Sequence, residues 1–198
     1  MKPSINKKTL DSILAMFPEL SRLGRFYFIR EFDHVLSGFF IEKTPRGAYL
    51  WKFVYPLFDD FEDLNLIYSQ RLSGEQGYVD FDSGFDGDMA KLIGDRVKDI
   101  VESARGILTI PQFLSYCESY PGCLDNPLGL LNYGYGQILT GHYSEAGSNL
   151  AKALYKLPER RAQFCMYIMD LLKSNPGAAQ EAVLSLEVRK RAELGLHA

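Results

Sequence analysis

Residues that most often carry catalysis or cross-links are scarce in this chain. Its 198 residues include three cysteines, three histidines and one tryptophan. The cysteines are odd in number and lack the spacing of metal ligands, so we expect reduced, buried thiols rather than a disulfide framework. No histidine has a second histidine nearby, which leaves no histidine metal site. The cysteines are Cys117, Cys123 and Cys165, and the histidines are His34, His142 and His197.

Long apolar runs and nucleotide-binding motifs are absent as well. No stretch approaches the roughly 20 apolar residues that cross a bilayer, and residues 1–8 are followed by Asp11 rather than by a signal-peptide core. The chain contains no Gly-x-Ser-x-Gly elbow and no Gly-Lys-Ser or Gly-Lys-Thr, and Gly134 and Gly136 lack the third glycine of a dinucleotide site. We therefore expect a cytoplasmic chain with no cofactor and no membrane partner, and an enzyme is the less favoured interpretation.

Acidic side chains are distributed unevenly, although the net charge is only −3. Residues 59–102 hold twelve acidic and four basic side chains, whereas the rest of the chain holds thirteen acidic and eighteen basic ones. An acidic region repels phosphate backbones and favours a basic protein or a cation, so we expect no nucleic-acid partner. The alternative is a solvated surface that only keeps the protein soluble. The candidate contacts to a basic partner are Asp60, Asp63, Asp95 and Asp99.

Four aspartates near residue 85 suggest a second kind of function. Asp80, Asp82, Asp86 and Asp88 lie on a glycine-containing segment, where their carboxylates could surround calcium or magnesium. The spacing does not fit an EF-hand, because counting from Asp80 puts phenylalanine at the sixth position, where that loop needs glycine. A metal-dependent hydrolase using these four residues is the alternative function, and a solvated loop with local turns is the alternative structure.

The N-terminal part predicts one helix and an antiparallel sheet. Apolar residues at helical spacing indicate a helix over residues 7–17, ended by Pro18. Aromatic and β-branched runs then predict four strands, with a turn at Thr44–Gly47 whose glycine is free to take positive φ. Alternation in the third strand places Tyr49, Trp51, Phe53 and Tyr55 on one face. The four predicted strands cover residues 25–30, 35–42, 48–55 and 64–72.

Helical periodicity dominates after residue 88. A capping box at Thr109 and Gln112, and Asn-Pro pairs at residues 126 and 175, mark helix starts. Gly141 is expected to end one helix in a left-handed conformation before Ser144 caps the next. The fold class is therefore α+β, with six helices after the sheet. The predicted domains are an α/β region over residues 1–74, an acidic glycine-containing loop over 75–87 and a helical region over 88–198.

One helical hairpin, over residues 127–160, matches the tetratricopeptide (TPR) pattern. Three positions are identical to the template and three keep an apolar residue, whereas Gln137 stands at the tyrosine position. Such hairpins act as stacked scaffolds for binding proteins, and a plain helical hairpin is the alternative. Neighbouring segments do not repeat the pattern. The residues aligned with the seven template positions are Leu130, Tyr133, Gly134, Gln137, Ala146, Leu150 and Pro158.

Residues 34–72 also resemble an uncharacterised bacterial family in which an aromatic β-region precedes a helical region. The resemblance is carried by Gly38–Glu42, Tyr49–Trp51, Pro56-Leu57 and Arg71-Leu72. The size and charge layout of the chain are also similar to those of acidic immunity proteins, which neutralise a toxin by covering its active surface. These resemblances imply a non-enzymatic protein-binding module, in its most specific form an immunity-type inhibitor of a basic partner. The oligomeric state is not indicated.

Overall fold

The computed structural model describes residues 5–60, 64, 66–82, 88–120 and 122–196. It has the predicted α+β class, with an N-terminal helix, an antiparallel sheet and a helical C-terminal region. No helix within those ranges is long and apolar enough to cross a bilayer. In chain order the elements are α1 (Lys7–Met16), β1 (Leu20–Leu23), β2 (Phe26–Ile29), β3 (Val35–Thr44), β4 (Gly47–Pro56), β5 (Gln70–Arg71), α2 (Gly74–Gly77), β6 (Tyr78–Asp80), α3 (Met89–Ala104), α4 (Ile110–Ser119), α5 (Gly122–Asp125), α6 (Pro127–Leu139), α7 (Tyr143–Leu154), α8 (Glu159–Ser174) and α9 (Pro176–Leu194).

The described chain forms two compact units. Unit 1 consists of the described residues of Met1–Phe32, Leu36–Val54 and Ser69–Ile107, and unit 2 of those of Asp33–Val35, Tyr55–Tyr68 and Leu108–Ala198. Helix α3 therefore belongs to unit 1, although its sequence pattern groups it with the later helices. The predicted domain bounds of 1–74, 75–87 and 88–198 stay a prediction.

The sheet has six strands among the described residues instead of the predicted four. Its order is β1-β2-β3-β4-β5, and β6 pairs with β4 beside β5. The hairpin between β3 and β4 forms where Thr44–Gly47 predicts a turn, and the Thr44 hydroxyl donates to the Gly47 carbonyl. Gly47 does not take positive φ. It is required by close packing, since a Cβ there would lie 2.3 Å from the Val79 carbonyl oxygen.

The predicted strand over residues 64–72 and the first part of the predicted loop over 75–87 differ from the structure, whereas residues 83–87 lie outside the described residues. Only Gln70 and Arg71 pair as β5, and Tyr68 is instead buried in unit 2, where its hydroxyl donates to the Gly129 carbonyl at 3.0 Å. Residues 74–80 form α2 and β6 rather than a loop. Gly77 fits this turn because a Cβ would lie 1.8 Å from the Leu72 carbonyl oxygen.

Unit 1 packs α1 and α3 together, and α3 against β2. Asn6 and Asp88 cap α1 and α3, because each side chain accepts a hydrogen bond from a backbone N–H in the first turn. The core combines aromatic residues of the sheet with aliphatic residues of α3. Its fully buried members include Tyr27, Phe39, Leu50, Val79, Ile93 and Val97.

Unit 2 is built from α4 to α9 and the short segments 33–35 and 55–68. The predicted capping box at Thr109 and Gln112 is present, and Gly141 takes the predicted left-handed conformation with φ +81°. Ser144 does not cap α7, because the helix begins one residue earlier and His142 occupies the N-cap. Helix α6 packs against α4, α7 and α9, and α8 packs against α7 and α9. The last four helices therefore surround a common core.

Candidate functional site

Exposed large apolar side chains concentrate on the last helices of unit 2. Val188 is 70% exposed, and Leu184 lies one turn before it on the same face of α9. Met166 and Tyr167 of the neighbouring helix α8 are about half exposed. Among the described residues, six of the seven exposed large apolar side chains belong to unit 2. The six are Leu66, Tyr155, Met166, Tyr167, Leu184 and Val188.

Helix α8 is amphipathic and only partly covered. Of its sixteen residues only Cys165 and Ile168 are buried, although the helix also carries phenylalanine, tyrosine, leucine and two methionines. The inner side of the helix is fixed by specific contacts. The Cys165 thiol donates to the Leu150 carbonyl, and the Phe164 ring meets the Tyr135 ring edge-on at 6.2 Å. The exposed residues of α8 are Met166 and Tyr167 together with six polar or charged ones, so its outer side is mixed in character.

Helix α9 is fixed to the rest of unit 2 by a charged network on its inner face. Glu187, which is 5% exposed, accepts a 2.7 Å hydrogen bond from His34 Nδ1 and another of 2.8 Å from Arg191 Nε. Arg191 also donates to the Asp33 carbonyl. The other ring nitrogen of His34, Nε2, lies 3.3 Å from the Asp33 carboxylate. Both ring nitrogens therefore face carboxylates, which favours the imidazolium form.

The titration of this network follows from its contacts. The hydrogen bond to Glu187 raises the pKa of His34, against an opposing effect of burial. Burial alone would raise the pKa of Glu187, but the hydrogen bonds from His34 and Arg191 together lower it. A histidine with both nitrogens occupied by carboxylates has no free nitrogen to activate a nucleophile. We therefore assign His34 a positioning role for α9, which the sequence could not indicate because its two partners are 153 positions apart.

Asp60, a predicted protein-binding residue, lies beside α9 and is already paired. Its carboxylate accepts a 2.9 Å hydrogen bond from Arg189, and only 12% of its side chain is exposed. This geometry gives Asp60 a share in holding α9, and little of its surface is left for a partner. Asp63 lies outside the described residues.

The other two predicted contact residues lie in unit 1. Asp95 and Asp99 are exposed on α3, one turn apart. The exposed side of this helix also carries Lys91 and Lys98, so it is of mixed charge rather than uniformly acidic. The structure does not bring Asp60 together with this pair in one unit.

The described aspartates of the predicted metal loop have local contacts. Asp80 accepts a 2.8 Å hydrogen bond from the Asp82 backbone N–H, and Asp88 accepts one from Ala90 as the N-cap of α3. Asp86 lies outside the described residues. Within the described ranges no group of three or more histidine, cysteine or acidic side chains could hold a metal ion. The four-aspartate site stays a prediction.

The predicted hairpin over residues 127–160 consists of α6 and α7, packed through small residues. A Cβ on Gly134 would lie 2.9 Å from Leu150 Cδ2, so the absence of a side chain there allows the two helices to approach closely. Asn149 donates to the Gln137 side chain at 2.9 Å and links the helices a second time. Because α6 also packs against α9, the hairpin is closed by the last two helices rather than open for stacking.

The aromatic face predicted for the third strand lies on β4, with Tyr49, Trp51 and Phe53 in unit 1 and Tyr55 in unit 2. Tyr49 and Trp51 are half-buried there, and the Arg71 guanidinium lies 4.5 Å from the Tyr49 ring centre. Leu50 of the opposite face is fully buried. A shallow cleft of about 460 Å³ lies at the open end of this face, lined by Tyr49, Arg71, Leu72, Ser73, Gly74, Gly77 and Tyr78.

Comparisons with protein-family models, curated proteins and solved structures found no match to this chain.

Proposed function

We propose that the chain is a non-enzymatic protein-binding module that binds its partner through the outer faces of α8 and α9. The observation that carries the proposal is the distribution of apolar side chains on these helices. Helix α9 buries Ala179, Val183 and Leu186 on its inner face and exposes Leu184 and Val188 on the outer one. An exposed apolar stripe on a helix that is already packed is characteristic of an interaction surface.

The charge of unit 2 supports a basic partner. Within the sequence of this unit, thirteen acidic and eight basic side chains give an excess of negative charge. The exposed charges of α8 and α9 themselves are mixed and include Glu159, Asp170 and Glu181 as well as Arg160, Lys173 and Arg189, so the acidic excess lies elsewhere in the unit. A basic partner with an apolar centre would complement the unit as a whole, and its association would accelerate at low salt.

The most specific form of the proposal is an immunity-type inhibitor, which would neutralise a basic protein by covering its active surface. Its support is the resemblance in size and charge layout given above, together with the position of the apolar side chains on a rigid helical unit. The tetratricopeptide-like pattern of α6 and α7 adds to the proposal, since the close packing at Gly134 provides the scaffold on which α8 and α9 are held.

The test compares capture by three tagged chains from a lysate of the source cells at low salt. We expect the unmodified chain to retain one stoichiometric partner, and the double variant Leu184→Asp and Val188→Asp to lose it. Met16→Asp is the control, because Met16 is an exposed apolar residue of unit 1 (41% exposed). Far-ultraviolet circular dichroism confirms that each variant is folded.

A partner retained equally by all three chains, or no partner at all, contradicts the proposal. The inhibitor form is tested separately by expressing the captured protein with and without this chain. Growth arrest that the partner causes and that only the unmodified chain relieves supports inhibition. Binding without relief supports a protein-binding module but contradicts the inhibitor form of the proposal.

A further inference from the structure

Two of the three cysteines are neighbours in unit 2, although five residues separate them in the sequence. Cys117 lies near the end of α4 and Cys123 in α5, and both are at most 1% exposed. The Cys123 thiol is 3.7 Å from the Cys117 carbonyl oxygen. Cys165 lies elsewhere in the unit, with its thiol on the Leu150 carbonyl.

Backbone hydrogen bonds bring residue 123 back to residue 117. The Cys117 carbonyl accepts the Tyr120 N–H at 3.3 Å, and the Tyr120 carbonyl accepts the Cys123 N–H at 3.1 Å. These two bonds return residue 123 to the vicinity of residue 117. Gly129 allows α6 to approach this loop closely, since a Cβ there would lie 1.9 Å from the Cys123 carbonyl oxygen.

The two sulfur atoms also have different acidities. A hydrogen bond from the Cys117 thiol lowers the pKa of Cys123, in spite of burial. The same pairing and burial raise the pKa of Cys117. In contrast, burial alone raises the pKa of Cys165 to about 11. Cys123 is therefore the more acidic thiol of the pair.

We propose that Cys117 and Cys123 form a reversible intrachain disulfide when the chain meets a peroxide. The Cys123 thiolate attacks hydrogen peroxide, the O–O bond breaks, and the products are a sulfenic acid on Cys123 and hydroxide. The Cys117 sulfur then attacks the Cys123 sulfur, its proton leaves with the displaced hydroxyl group as water, and the S–S bond forms. In total two thiols are oxidised, one peroxide is reduced and two waters are released.

Burial sets the rate of this reaction. Both sulfur atoms are covered in the folded chain, so peroxide must reach them through local opening of the loop around the four-residue helix α5. The disulfide then joins α4 to α5 beneath the N-terminal turn of α6. This inference is independent of the proposed binding function.

The test treats the reduced, purified chain with hydrogen peroxide and measures intact mass and peptide maps. We expect a loss of about 2 Da and one cross-linked peptide joining residues 117 and 123, both reversed by dithiothreitol. Cys165→Ser is the matched control and should form the same cross-link. In Cys117→Ser, Cys123 should stop at the sulfenic acid and be labelled by dimedone, while Cys123→Ser should give neither product.

Three outcomes overturn the proposal. They are thiols that stay reduced in the folded chain, a cross-link that includes Cys165, and direct conversion of Cys123 to the sulfinic acid without a disulfide. Circular dichroism of each variant before oxidation distinguishes loss of the reaction from loss of the fold. The variant Cys117→Ala provides a second chain in which the resolving thiol is absent if the serine is not tolerated.

Discussion

Replacing Glu187 by glutamine should destabilise unit 2 in a manner that depends on pH. The substitution keeps the shape of the side chain but removes the charge that His34 and Arg191 contact at 2.7 and 2.8 Å. A hydrogen bond to a charged group contributes about 1.5–3 kcal/mol. Because the side chain of His34 is 28% exposed and the amide can still accept hydrogen bonds, we expect a total loss of about 2 kcal/mol.

The sign of the pH dependence follows from the two pKa shifts. The folded pKa of His34 is raised, so its contribution is complete below the unfolded pKa of about 6.5 and is lost as the pH rises through the folded value. The folded pKa of Glu187 is lowered, so its contribution is present above about 4.3 and is lost as the pH falls through the folded value. The ion pair of His34 and Glu187 therefore stabilises the folded chain most between about pH 4.3 and about pH 6.5.

Urea unfolding followed by far-ultraviolet circular dichroism measures this effect. The difference between the wild type and Glu187→Gln should be about 1 kcal/mol larger at about pH 5.5 than at about pH 8.5. Glu181→Gln is the matched control, because Glu181 is an exposed residue of the same helix, and it should change stability by less than about 0.5 kcal/mol at both values. Equal destabilisation by Glu187→Gln at the two pH values would refute the assignment of His34 as a charged partner.

Three further predictions concern packing, capping and the outer surface of α9. Gly129→Ala should destabilise the chain by about 3 kcal/mol in thermal unfolding, since its Cβ would lie 1.9 Å from a backbone oxygen. Gly147→Ala is the control and should stabilise the chain by about 0.5–1 kcal/mol, because a Cβ there has no atom within 4 Å. Asp88→Ala should lower stability by about 1 kcal/mol through loss of the α3 N-cap, and Asp95→Ala in the same helix should be close to neutral in urea unfolding. Val188→Thr should change stability by less than about 0.5 kcal/mol in the same assay, and a larger loss would mean that the side chain packs within the unit.

Features defined by a few adjacent residues were predictable from the sequence. The capping box at Thr109 and the left-handed Gly141 depend on local hydrogen bonds and backbone sterics, and both are present. The start of α7 was predicted wrongly because Ser144 is a good capping residue by type, whereas the chain geometry after Gly141 begins the helix at Tyr143.

Features that depend on tertiary contacts were not predictable. Strand β1 has only four residues and pairs with β2. A segment this short is not distinguishable by its sequence from a continuation of the preceding helix. The predicted strand over residues 64–72 fails because Tyr68 is buried in unit 2. The contact of His34 with Glu187 joins residues 153 positions apart, and no spacing rule connects them. The exposed stripe at Leu184 and Val188 could have been found from its spacing of four, but an apolar pair on a helix is first interpreted as core.

Helix α9 combines two properties that conflict in most surface helices. Its apolar residues lie on opposite faces, so burial of one face leaves the other in water and gives the helix no strong preference for its own rotation. The charged contacts of Glu187 and Arg189 remove this ambiguity, because only one rotation places both beside His34 and Asp60. The network thus selects which face of α9 is buried. With the rotation fixed, Leu184 and Val188 point outward, and every copy of the folded chain exposes the same apolar stripe.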